Sequence, residues 1–267
     1  MKFFDESGRR IPTETMRVFG DQPSYYYAIK EHSLDYTKIL GRLKKAKLVE
    51  DLEISEFEKR ADSLLASIEA DRNYSNILKG PHLPFAVDLP GETFDLGEHL
   101  EQSLLPKLER SFTDAYPDYH FKAVLQGDAD LVRKITLDDN ARYQQLIHSA
   151  QKSSVVGWYF PQAFQEFDVE SQRRQMRDLP DLDGGNVCLS GGIDMVASLV
   201  GLPSLLVNED SYPPILCMSA YVHADSRLVL LLKAYGPHLE FWCMTQMLTP
   251  EVTQVSEQWA GGLTIFS

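Results

Sequence analysis

The stretch that decides the fold is PILCMSAYVHADSRLVLLLKAYGPHLEFWCMTQML, Pro214 to Leu248. It holds three apolar runs, Pro214 to His223, Arg227 to Tyr235 and His238 to Leu248, joined by Ala-Asp-Ser and by Gly-Pro. Connections of two or three residues make hairpins, because a parallel crossover takes a dozen residues or more. The pattern predicts an antiparallel meander of three strands, with the later run LTIFS, Leu263 to Ser267, as a further strand.

Upstream of the meander, strands and helices mix. Strands are expected in HLPFAVDL (His82 to Leu89), YHFKAVLQ (Tyr119 to Gln126) and SVVGWYF (Ser154 to Phe160). Helices are expected over Asp95 to Phe112, bent or split by Pro106, over Asp138 to Gln151, and over the polar stretch Val169 to Leu179. Alternating elements followed by hairpins without helices place the chain in the α+β class.

The cluster KGPHLP, Lys79 to Pro84, suggests a boundary near residue 80, with a helical appendage over 1–80 and a main domain over 81–267. Before it, a helix can start at Ser33 and carries Ile39, Leu40 and Leu43 on one face. Ile54, Phe57, Ala61, Leu64 and Ile68 then recur at intervals of 3, 4, 3 and 4, the stripe of a long amphipathic helix. Together they predict an N-terminal helical hairpin, packed on the body or, through residues 33–79, on another protein or a second copy of the chain.

Charge divides at the same place. Residues 1–80 hold 14 basic and 14 acidic side chains, whereas 81–267 hold 12 and 25 and so carry the whole net charge of −13. Such a body repels phosphate backbones and anionic lipid, so neither nucleic acid nor membrane is expected as a partner. The start MKFFDESGRR places charges where a secretion signal needs an apolar stretch, and the run Met195 to Val207 is too short for a membrane helix. A cytoplasmic, soluble protein is the expectation. Cys188, Cys217 and Cys243 sit in apolar runs without C-x-x-C spacing, as buried reduced thiols do.

One motif has a chemical reading. In NVCLSGGIDMVASLV, Asn186 to Val200, an apolar run meets Ser190, Gly191, Gly192, Ile193 and Asp194. This resembles the S-G-G-x-D-S signature of the ATP pyrophosphatase (PP-loop) enzymes, and the resemblance implies a diphosphate cradle and adenylation by ATP. The sequence departs from that pattern in three ways. Met195 stands where the family closes with Ser, 72 residues remain after it, and those residues read as hairpins. The reading taken here is a helix start, with Ser190 or Gly191 as cap and Asp194 in the first turn against the positive end of the dipole. Ser190, Gly191, Gly192 and Asp194 stay as the phosphate-binding candidates of the alternative.

Other constellations are sparse. The loop RDLPDLDGGN offers Asp178, Asp181 and Asp183 but lacks calcium-loop spacing, and seven scattered histidines show no zinc pattern, so neither a metal nor a cofactor is expected. Cys217 or Cys243 could meet His223 or His238 across adjacent strands as a thiol–imidazole pair, the catalytic candidates of a cysteine hydrolase. Aromatic residues cluster in PSYYYAIK, with Tyr25, Tyr26 and Tyr27, and in FPQAFQEF, read as a loop carrying Phe160, Phe164 and Phe167. Aromatic side chains outside regular elements suit interfaces, which makes Tyr25, Tyr26, Tyr27, Phe164 and Phe167 the interaction candidates. The functional expectation is binding of a protein or a weak ligand, with the phosphate-turn and cysteine enzymes as alternatives.

Overall fold

The computed structural model describes residues 2–267 except 14, 15, 17, 21, 25, 126–129, 208–211, 246, 247, 250, 251, 254 and 255. In chain order the helices are α1 (Tyr36–Lys45), α2 (Ile54–Ala70), α3 (Leu96–His99), α4 (Leu105–Ala115), α5 (Tyr143–Lys152), α6 (Val169–Asp178) and α7 (Gly192–Gly201). The strands are β1 (Leu83–Val87), β2 (His120–Leu125), β3 (Ile135–Leu137), β4 (Val155–Gln165), β5 (Asn186–Leu189), β6 (Ile215–Cys217), β7 (Tyr221–His223), β8 (Leu228–Tyr235), β9 (His238–Thr245), β10 (Leu248–Thr249), β11 (Val252–Thr253) and β12 (Trp259–Phe266). The class is α+β. No helix among the described residues is long and apolar enough to cross a membrane.

Eight strands form the main sheet in the order β1-β4-β12-β6-β8-β9-β2, with β5 also paired to β12. Its pairs are antiparallel except β6 with β12 and β2 with β9. The tight turn at Gly236–Pro237 makes the hairpin its length dictates, β8 with β9, and β6 lies antiparallel on the other side of β8, although ten residues and not a three-residue turn separate the two. The first apolar run of the meander divides, however. After Cys217 the chain turns and β7 leaves to pair with β3. Arg173 of α6 donates to the carbonyls of Ser219 and Tyr221, and Ala220 N–H donates to Ser190, so backbone groups that a longer β6 would place in the sheet are bonded elsewhere.

The run at the end of the chain extends from Trp259 and occupies the middle of the sheet, between β4 on one side and β5 and β6 on the other. Its register against β4 shifts between Gly261 and Leu263. Pro161 of β4 has no N–H to give, and a bulge opposite is where a strand tolerates that loss. Side chains are excluded at the bulge itself. A Cβ on Gly261 would lie 1.9 Å from the Gln172 amide oxygen, and one on Gly262 would lie 2.2 Å from the Tyr159 ring.

Helix ends differ from expectation, α5 for one beginning at Tyr143 and not at Asp138. α1 begins after Asp35, whose carboxylate accepts from Lys38 N–H, so Asp35 and not Ser33 is the cap. α2 stops at Ala70, giving about 25 Å of helix, because Asp71 turns its carboxylate onto Asn73 N–H. Pro106 has the disruptive effect expected of it. Between α3 and α4 the chain makes one π turn, Leu100–Leu104, in which Leu105 N–H reaches back five residues to Leu100. The apolar stripes of α1 and α2 face inward, and Leu40, Phe57 and Ile68 share one core with Val156, Val196 and Ile265. Residues on both sides of position 80 build that core.

Candidate functional site

The segment FPQAFQEF is not a loop. Residues 160–165 complete β4, every residue of which is buried, and Phe164 and Phe167 meet edge to face at 5.9 Å inside the core. Burying Gln162, Gln165 and Glu166 requires hydrogen-bond partners, and the N-terminal segment supplies them. Gln162 accepts from Ile29 N–H at 2.7 Å and donates to Tyr27 O at 3.0 Å. The Gln165 amide donates to the carbonyls of Ser24 and Tyr27. Glu166 accepts from Ser24 N–H through its carboxylate and from Phe19 N–H through its carbonyl.

Arg9 closes this lattice from below. Its guanidinium stands 3.6 Å from the Glu166 carboxylate, donates to Gln165 O and Gly20 O at 2.9 Å each, and lies over the Phe167 ring. Glu166 is wholly buried and has a φ of 66°, in the left-handed region; a non-glycine residue persists there when its surroundings hold it. Burial raises its carboxyl above the ordinary range, and the Ser24 hydrogen bond and Arg9 pull it back.

What the lattice holds up is aromatic and faces solvent. Phe19 is 56% exposed, Tyr26 74% and Tyr212 67%. The Tyr27 ring lies 6.3 Å from that of Tyr212, and its hydroxyl accepts from the Gln258 amide at 2.9 Å. Of the expected interaction residues, the structure thus presents Tyr26 and part of Tyr27, buries Phe164 and Phe167 beneath them, and leaves Tyr25 outside the described residues. Phe19 and Tyr212 were missed. Nothing local marks them, since each stands alone in the sequence, and Tyr212 reaches Tyr27 only through a tertiary contact.

The alternatives fare differently. The glycine turn is a helix start: α7 begins at Gly192, and the Asp194 carboxylate accepts from Gly191 N–H at 2.9 Å. The free N–H groups of Ile193 and Asp194 point at the Tyr143 hydroxyl of α5, at 3.0 and 3.4 Å, which in turn donates to Asp194 at 2.6 Å. A tyrosine from another helix therefore takes the place of a capping serine, and the donors that would grip a phosphate are occupied. Ser190, Gly191, Gly192 and Asp194 are all buried. β5 before them pairs antiparallel with β12, unlike a strand of a parallel nucleotide-binding sheet.

The three thiols are buried too. Burial pushes Cys217 up to about 12 and Cys243 up to about 11, and holds Cys188 well above the usual thiol value. No hydrogen bond joins a thiol to an imidazole among the described residues. His238 sits at the hairpin end, its ring 5.5 Å from that of His120. Cys243 lies five residues along the same strand and so on the opposite face. Cys217 pairs with Leu231 and Leu231 with Trp242, which is four residues, about 13 Å, from His238. His223 accepts from Asp225 N–H at its Nδ1. Asp181 pairs with Arg142 at 2.8 Å, and no group of three His, Cys, Asp or Glu is placed to hold a metal among the described residues.

Three clefts open elsewhere. One, of about 340 Å³, holds His32 and His82, whose ring nitrogens already contact the carbonyls of Lys30, Ser204 and Gly80. Another, of about 360 Å³, is lined by Phe94, Ile135 and Ile147, with Asp95 committed to the N–H groups of Glu98 and Arg133. The third, between α1 and α4, is cationic. No family model, no curated protein and no solved structure matches the chain.

Proposed function

We propose that the protein acts by binding another protein, not by catalysis, and that the contact is made by the aromatic group Phe19, Tyr26, Tyr27 and Tyr212. One observation carries the reading: exposed Tyr26 and half-buried Tyr27 stand on a backbone pinned by the buried side chains of Gln162, Gln165 and Glu166. Large aromatic residues lose few rotamers on binding and dominate interface energetics when their backbone is already ordered. The alternative enzymes lack support from geometry, because the thiols are sealed and the glycine turn is filled by Tyr143. A partner meeting residues 33–79 would touch their charged outer face, since the apolar stripe is buried within the chain.

The test uses a photo-crosslinking amino acid at position 26 and, as control, at position 235, where Tyr235 is 69% exposed at a hairpin tip. A discrete adduct with one protein from position 26 and none from 235 is the expected result. Equal labelling from both sites overturns the proposal, as does a turnover screen that finds hydrolase or ligase activity abolished by Cys217→Ala.

A further inference from the structure

The cleft between α1 and α4 runs against the charge of the molecule. The chain carries −13 overall, yet Arg42 and Lys45 of α1 and Lys107 and Arg110 of α4 line one cavity of about 230 Å³ with a single carboxylate, Asp114. Spacing puts them there. Residues 42 and 45 lie one turn apart, as do 107, 110 and 114, while Leu105, Leu108 and Phe112 turn the other side of α4 into the core. The sequence shows the α1 lysines but not that α4 lies beside them.

A simpler account makes these cations helix-end caps, and it covers part of the set. Arg42 donates to Gly201 O at the end of α7 at 3.0 Å, and Lys107 to Lys47 O beyond the end of α1 at 3.2 Å. Lys45 pairs with Asp114 at 2.7 Å. Each uses a fraction of its donors: one of five N–H groups on Arg42 and one of three on Lys107 serve those carbonyls. The Arg110 guanidinium has no hydrogen bond or ion pair among the described residues. Lys107 is half-buried beside like charge, and its ammonium is held below its ordinary value by burial and then by Lys47. A fold that needed only caps has no use for a further guanidinium and a half-buried ammonium facing the same space.

We infer that the α1–α4 cleft is a binding site for a compact anion of the phosphate-ester class, held by Arg42, Lys107 and Arg110. Guanidinium forks match paired phosphate oxygens, and an excess of three positive charges suits a ligand of at least two negative ones. The volume is below the roughly 300–1,000 Å³ of sites for drug-sized ligands, which favours a small occupant. The site shares no residue with the aromatic group and stands or falls separately from it.

The experiment is calorimetric titration of the full chain with inorganic pyrophosphate at constant ionic strength. Saturable one-to-one binding is expected, weakened about tenfold or more, equivalent to about 1.4 kcal/mol, by Arg110→Ala and by Lys107→Gln, and retained by Lys107→Arg. Without pyrophosphate, Arg110→Ala should melt within about 3 °C of the parent, and so should Lys107→Gln, which gives up one exposed hydrogen bond to Lys47 O. Absence of saturable heat, or undiminished binding in the Arg110→Ala/Lys107→Gln double variant, overturns the inference.

Discussion

Arg9 and Glu166 face each other with at most 1% of either exposed. A buried pair of this kind adds little over an apolar replacement of both, but removing one partner strands a charge and costs about 3–5 kcal/mol. Arg9→Met should therefore destabilise by that order in urea denaturation at neutral pH. The loss has a sign in pH. Without the guanidinium the folded Glu166 carboxyl moves still further above its unfolded value of about 4.3. Protonation then favours the folded state, so the deficit of Arg9→Met shrinks as pH falls toward 4 and widens as pH rises through the elevated folded value. A deficit that is flat between pH 4 and 8 contradicts this. Little of the arrangement was legible in FPQAFQEF. Two glutamines and a glutamate among aromatics read as solvated, and the groups that satisfy them lie more than 130 residues earlier, where no local pattern can announce them.

Helices were legible in existence and less so at their ends. Apolar spacing is a property of the segment itself, so α1 and α2 stand where periodicity puts them. Their limits depend on single side chains, Asp35 and Asp71, and several residues in each neighbourhood could have served. Two glycines in helices separate local from tertiary control. Gly41 of α1 faces open space, so Gly41→Ala should stabilise by about 0.5–1 kcal/mol through helix propensity alone. Gly97 of α3 lies against the Leu131 carbonyl, where a Cβ would fall at 1.7 Å. Gly97→Ala should destabilise by about 1–3 kcal/mol, the range for forced overpacking. Shifts of the same sign in thermal melts of the two variants would refute the contrast. The α7 start was read as a helix and is one. Its cap was not readable, since Tyr143 lies some fifty residues away on α5.

For the molecule as a whole, the α+β class followed from the lengths of the linkers, whereas the order of strands did not. A turn of two residues leaves one solution for β8 and β9. Nothing local says that β12 inserts between β4 and β6, or that β2 joins β9 in parallel; such pairings are decided by which apolar faces remain once hairpins have formed. The position of β12 carries a prediction. A chain ending at Gln258 should lose cooperative urea unfolding altogether, since β4, β5 and β6 all lose their shared neighbour. A sharp transition in that truncation, followed by circular dichroism, would show that the sheet closes without it.

Translation proceeds from one end, and β12, at the heart of this sheet, leaves the ribosome after the other strands described. Until it emerges, β4 and β6 present bare backbone edges to whatever is nearby, the kind of surface on which nascent chains stick to one another. The architecture thus imposes a waiting period on every newly made copy, and a cell producing it must shield two open seams until β12 slides in.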